Sequence, residues 1–141
     1  PGPTPPSALG PDAMPFRSYQ DATDGNLAIT KCGNASCSSG NTTTKISDAN
    51  NVGLYTSIAI GTDGLPVISY RDISDSTLKV AKCANAACTG SAAITTVDDP
   101  LNVVGFETSI AIGADGLPVI SYHDGTASAI KVAKCGTRSC Q

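Results

Sequence analysis

Tryptophan is absent from this chain, and aromatic residues of every kind make up only 4% of it. The large aromatic anchors that dominate many protein-binding hot spots are therefore missing. Basic residues are no more abundant than acidic ones: the net charge is −3 and the pI about 4.8, which argues against a nucleic-acid partner. No apolar run is long enough to span a bilayer, and no signal peptide is visible. The start at Pro1, without an initiator Met, reads as a processed or excised product. What remains is aliphatic: 40% of the 141 residues are hydrophobic, mostly Ala, Val, Ile and Leu. A chain of this length can bury a core as one domain, and such side chains favour thin, closely packed layers.

Cysteine is present in an even number, six, and in a regular pattern. Cys32-GNAS-Cys37, Cys83-ANAA-Cys88 and Cys135-GTRS-Cys140 share one spacing, and their first members lie 51 and then 52 residues apart. Upstream, Ser57–Tyr70 (SIAIGTDGLPVISY) and Ser109–Tyr122 (SIAIGADGLPVISY) differ only at Thr62 and Ala114. SALGPDAMPFRSY, from Ser7 to Tyr19, is a degenerate first copy in the same register. Asp21, Asp72 and Asp124 each stand eleven residues before the first Cys of their copy. The chain is thus a threefold repeat, and a period near 50 residues signals a propeller, solenoid or other array.

Each copy carries strand signals and no sustained helical period. Ser57–Ile60 alternates small and large residues. Asp63-Gly64 and Asp115-Gly116 are tight-turn dipeptides, because Gly accepts positive φ. Pro66 and Pro118 suit the first position of the next strand, which runs through Val67–Tyr70 and Val119–Tyr122. A third strand covers Leu78–Cys83 and Ile130–Cys135. The Cys-x4-Cys loop follows, then a fourth strand at Thr42–Ile46 and Ala93–Val97. Asn and Asp clusters with Gly53 and Gly105 lead into the next copy.

Four antiparallel strands per 50-residue repeat describe a β-propeller blade. The expected fold is all-β with three blades in a single domain over residues 1–141. The blades cover about 1–52, 53–104 and 105–141, the last without its fourth strand. A β-trefoil is the alternative, since three copies in this length suit its barrel. The sequence SIAIGTDGLPVISYRD followed by LKVAKC resembles secreted bacterial and archaeal propeller repeats with the blade pattern S-(I/L)-A-(I/L)-x-x-(D/N)-G-x-P-x-I-S-Y-x-D…L-K-(V/Y)-A. The resemblance covers nearly the whole chain. It implies a propeller fold and an extracellular setting, and says little about activity.

Propellers close with four to eight blades, so three blades call for completion. Further blades, a second chain completing a ring, or head-to-tail joining into a filament all fit. A neighbour's strand could fill the missing fourth position by β-augmentation. The proline-rich start PGPTPP reads as a linker or a worn first strand, with a bridge to another subunit as the alternative.

The candidate chemistry is sparse. The cysteines read as three disulfides, Cys32–Cys37, Cys83–Cys88 and Cys135–Cys140, in an oxidising compartment. Each closes a short loop, for about 2 kcal/mol by loop entropy. Zinc would need four converging ligands at closer spacing. His123, the only His, is matched by Gln20 and Arg71 in the other copies, which reads as a variable, solvent-facing slot. Asp21 with Asp24, Asp72 with Asp75, and Asp124 lie in the loops after the second strands. Too few oxygens gather there for calcium, so the aspartates read as turn caps. With His123 they are the candidate ligand-facing positions. The repeated Tyr19, Tyr70 and Tyr122 read as packing residues rather than a sugar-stacking set. Arg17, Arg71 and Arg138 occupy non-equivalent positions and Glu107 is the only Glu, so no sialidase-like catalytic set is visible. Asn34 and Asn41 fit the N-glycosylation sequon.

The expected function is therefore a non-enzymatic one, without cofactor or metal. It is an extracellular structural or adhesive repeat protein that associates with further copies or blades, as a filament or a closed ring. A lectin-like propeller that binds carbohydrate or another ligand is the alternative.

Overall fold

A computed structural model describes residues 5–46, 51–98 and 101–141. Residues 1–4, 47–50 and 99–100 lie outside it, and with them most of the proline-rich start and parts of the Asn- and Asp-rich joins. The described residues form eleven strands and no helix. Sheet 1 contains β1 (Ser7–Leu9), β2 (Pro15–Asp21), β3 (Asn26–Lys31) and β4 (Thr42–Lys45). Sheet 2 contains β5 (Val52–Ile60), β6 (Pro66–Asp72), β7 (Thr77–Lys82) and β8 (Ala93–Asp98). Sheet 3 has three strands, β9 (Phe106–Ile112), β10 (Pro118–Asp124) and β11 (Ala129–Lys134). Within each sheet consecutive strands are antiparallel neighbours.

No described strand pairs outside its own sheet, so no trefoil barrel forms among the described residues; packing runs from sheet 1 to sheet 2 to sheet 3, and no closed ring is formed among them.

The first hairpin of each copy is set by one turn. Gly64 N–H donates to Gly61 C=O and Gly116 N–H to Gly113 C=O, both at 2.9 Å, with φ of +77° and +78° at the donor glycines. Ala13 fills the same place in copy one at φ +60°. The aspartate before each donor accepts the N–H two residues on: Asp12 from Met14, Asp63 from Leu65 and Asp115 from Leu117, each at 3.1 Å. The last lysine of each third strand pairs with that aspartate, Lys31–Asp12 at 2.7 Å, Lys82–Asp63 at 2.8 Å and Lys134–Asp115 at 2.7 Å. The Lys31 and Lys134 pairs are partly exposed and add little stability, while Lys82 is buried; the threefold recurrence shows that the repeat geometry is the same in all copies.

Two details differ from the sequence reading. Ser7 lies opposite Arg17 as Ile58 lies opposite Ile68, so Ser7 takes the place of Ile58, not of Ser57. And β5 begins at Val52, five residues before the alternating stretch. Its early part is irregular, with a register shift between Leu54 and Ser57 and a left-handed φ of +51° at Tyr55. Glu107 repeats this at φ +48°. Gly53 belongs to β5 rather than to a join.

The sheets stack face to face around two apolar layers. Phe16, Leu27 and Ile29 of sheet 1 meet Ile58, Ile68, Tyr70 and Ala81 of sheet 2. Val67, Leu78 and Val80 of sheet 2 meet Val104, Ile110, Ile120 and Tyr122 of the third copy. Sheet 2 is covered on both sides, which is why every residue of β6 is buried.

Candidate functional site

All three cysteine pairs are disulfides, with Cα–Cα distances of 4.8, 5.0 and 4.6 Å. Each links the end of a third strand to the loop that follows. The second Cys adopts a left-handed φ in every copy, and its N–H donates to the residue three positions earlier: Cys37 to Asn34, Cys88 to Asn85, Cys140 to Thr137. The side chain of that residue then caps the loop. Asn34 Oδ1 accepts from Ser38 N–H at 3.0 Å, Asn85 Oδ1 from Thr89 N–H at 3.0 Å, and Thr137 Oγ1 from Gln141 N–H at 2.9 Å. Asn41 Oδ1 accepts from Gly33 N–H, and its Nδ2 donates to Cys37 C=O. Both sequon asparagines, Asn34 and Asn41, thus brace the first disulfide loop. The three bridges fit an oxidising, extracellular environment. No described helix is long and apolar enough to cross a membrane, which says nothing of strands.

The aspartates at and just beyond the ends of the second strands are turned to structural work. Asp72 and Asp124 are buried and pair with Lys79 at 2.5 Å and Lys131 at 2.7 Å. Their Oδ1 atoms accept the N–H groups of Ser74 and Thr126, and Asp21 does the same for Thr23. Copy one has Ala28 where copy two has Lys79, and there Lys45 of β4 pairs with Asp21 and Asp24 instead. Asp75 adds a second carboxylate to Lys79 at 3.2 Å. Tyr122 donates to Asp98 at 2.6 Å, and burial together with that carboxylate raises its phenol above the ordinary range.

These pairs have a consequence in acid. The Lys131 ammonium, then the Ala127 N–H, hold the Asp124 carboxyl at a pKa of about 2. An unfolded aspartate titrates near about 3.9. A depressed carboxyl adds stability that is fully present above the unfolded value and lost as pH falls through the folded one. The loop between β10 and β11 is therefore expected to loosen between about pH 4 and pH 2. An NMR titration in which Asp124 follows the ordinary aspartate curve contradicts this.

The faces of the sheets carry the most information. Each sheet has a first face, toward the preceding copy, and a second face, toward the following one. The second face has the same plan in all three copies. Phe16, Ser18, Leu27 and Ile29 in sheet 1 correspond to Val67, Ser69, Leu78 and Val80 in sheet 2, and to Val119, Ser121, Ile130 and Val132 in sheet 3. In sheets 1 and 2 these residues are at most 1% exposed; Ile130 is 72% and Val132 66% exposed. The third sheet thus repeats an apolar stacking surface with nothing described on it. The free edge of β11 adjoins this face, where β3 and β7 are paired by β4 and β8.

The opposite end differs. The first faces of sheets 2 and 3 present Ile58, Ile68, Tyr70 and Ala81, and Ile110, Ile120, Tyr122 and Ala133. Sheet 1 presents Ser7, Arg17, Tyr19 and Thr30 at those positions. Tyr19 OH meets Thr30 Oγ1 at 3.3 Å, and Thr30 meets Thr43 at 2.7 Å. A polar outer face is the usual property of a capping repeat.

Among the described residues His123 makes no side-chain hydrogen bond. It lies in a shallow groove lined by Tyr55, Phe106, Glu107 and Gly125, with its ring centroid 6.0 Å from Phe106. Its counterparts are not solvent-facing, as the sequence reading had them. Gln20 Nε2 donates to Val52 C=O at 3.0 Å and Arg71 Nε to Val104 C=O at 3.1 Å, each across a sheet boundary. Arg71 is 9% exposed, with its guanidinium 4.1 Å from the Phe106 ring centre. Gln20 and Arg71 are thus inter-sheet donors, each to the backbone carbonyl of the equivalent valine.

Sequence reasoning did not single out Ile130 and Val132. Aligning them with Leu78 and Val80 would have placed them on a stacking face. A scan against protein-family models found no match, and a search of curated proteins found no similar sequence.

Proposed function

We propose that this protein is an extracellular structural or adhesive module built from β-propeller-type blades, which works by being stacked upon. One observation carries this reading: Ile130 and Val132 stand open at positions whose copies, Leu78 and Val80, are fully buried beneath the next sheet. Burying apolar area of this kind is the main favourable term in association, and the free β11 edge adds unpaired backbone groups. The three disulfides fit a module that persists outside the cell. The sheets are joined by packing and short backbone contacts, as repeat units are, so a fourth sheet adds by the same nearest-neighbour terms.

The reading is tested by extending the chain. A segment with the sequence of residues 90–102 followed by 51–88 is joined after Gln141, which supplies a fourth strand for sheet 3 and a fourth sheet. The amides of β11 are expected to exchange with solvent as slowly in the extended chain as those of β7. Unchanged, fast exchange along β11 would refute the reading.

A further inference from the structure

The two internal sheet boundaries are built from one set of contacts, and the third copy of that set is complete on one side only. At the first boundary Val52 N–H donates to Gly25 C=O at 2.9 Å, while Val52 C=O accepts from Gln20. At the second, Val104 N–H donates to Ser76 C=O at 3.1 Å, while Val104 C=O accepts from Arg71. One valine is therefore held through both of its backbone groups by the preceding sheet. The residue that offers the carbonyl has a left-handed φ, +71° at Gly25 and +61° at Ser76. The glycine after each valine lies against the core leucine of the preceding sheet. A Cβ on Gly53 would stand 2.8 Å from Leu27 Cα, and one on Gly105 would stand 3.3 Å from Leu78 Cα. A threonine hydroxyl completes the set: Thr56 Oγ1 lies 3.0 Å from Ser18 C=O and Thr108 Oγ1 lies 3.4 Å from Ser69 C=O, with Ser69 Oγ also 2.7 Å from Thr108 Oγ1.

Sheet 3 holds the third copy of the receiving half. Ser128 occupies the carbonyl position at φ +50° and is exposed. His123 occupies the donor position of Gln20 and Arg71. Ile130 occupies the place of Leu27 and Leu78, and Ser121 that of Ser18 and Ser69. No hydrogen bond to the His123 ring occurs among the described residues.

We infer that Ser128, His123 and Ile130 form a latch for the Val-Gly segment of a further repeat unit, whose first face carries the Ile-Ile-Tyr-Ala set of sheets 2 and 3. The first sheet of a second copy of this chain is not that partner. It offers Arg17 for Ile68 and Thr30 for Ala81, and Pro5 stands where Thr56 and Thr108 carry the bonding hydroxyl. Placing the Arg17 charge against Val119 and Val132 would bury an unpaired cation, which is costly. Stacking is thus directional: the third sheet receives, and the first sheet does not present the face that it takes.

The inference rests on the proposed stacking role, and the experiment separates the two. The extended chain described above is followed by NMR, reading amide exchange at the added valine that corresponds to Val52. Its amide is expected to be as protected as that of Val104. His123→Ala is expected to speed its exchange roughly fivefold, the loss of one hydrogen bond, and His123→Gln to restore it. If β11 becomes protected while the added valine exchanges freely, the latch is wrong and the stacking role stands. If β11 stays unprotected, both fall. The chain as it exists gives a second arm, because Gln20→Ala and Arg71→Ala should speed exchange at Val52 and Val104 by a similar factor. No change at either removes the latch. A dimer of the unextended chain that covers Val132 also overturns it, since the partner would then be a second copy.

Discussion

Leu78→Ala is expected to destabilise the chain by about 2 to 5 kcal/mol, whereas Ile130→Ala, at the same position one repeat later, is expected to change stability by about 0.5 kcal/mol or less. Leu78 is fully buried where Val104 and Gly105 of the next copy rest on it. Truncating it removes its packing contacts and leaves a cavity between two backbones that cannot collapse together. Ile130 has the same β-strand setting but is 72% exposed, so water replaces the lost methyl groups. Urea unfolding of the two variants measures the contrast. Equal costs would mean that the outer face of sheet 3 is already covered in solution.

Gly53→Ala is expected to cost about 2 to 5 kcal/mol, against about 1 to 2 kcal/mol for Gly90→Ala. Both glycines have similar left-handed angles, φ +88° at Gly53 and +84° at Gly90. An added methyl at Gly90 meets nothing within 4 Å, so only the backbone angle resists it. At Gly53 the same methyl lies 2.8 Å from Leu27 Cα and 3.1 Å from Leu27 Cβ. Backbone atoms cannot swing aside as a flexible side chain would, so sheets 1 and 2 must part. Thermal unfolding of the pair separates the angle from the clash. A Gly53→Ala variant no less stable than Gly90→Ala would remove close backbone approach from the account of how sheets stack.

The repeat, the strands and the disulfide pairs were legible in the sequence because they are local. Asp63-Gly64 and Pro66 mark a turn and a strand start wherever they occur, and cysteines five residues apart can close only a short loop. The beginning of β5 was not legible. Val52, Gly53 and Tyr55 look like a join, because the bulge at Tyr55 breaks the two-residue alternation on which strand reading depends. The role of Gln20 and Arg71 was hidden for a different reason. Their shared partner is a backbone carbonyl, which leaves no mark in the sequence and accepts from an amide or a guanidinium alike. Asp72 and Asp124 read as loop residues and proved to be buried, since Lys79 and Lys131 sit directly across the hairpin from Tyr70 and Tyr122 and reach back to them. The exposure of Ile130 and Val132 is a property of what lies beside the sheet, which strand patterning within one copy does not encode.

On the proposed stacking, the outer face of sheet 3 is the same surface as the outer face of sheet 2, awaiting its cover. Thiol labelling at matched positions tests it most directly, with Val80→Cys and Val132→Cys compared in the chain and in its four-sheet extension. The thiol introduced by Val80→Cys is expected to resist a maleimide in both. The thiol introduced by Val132→Cys is expected to react fast in the chain, and in the extension as slowly as its counterpart in sheet 2. Fast labelling of the Val132→Cys variant in a folded extension would contradict it.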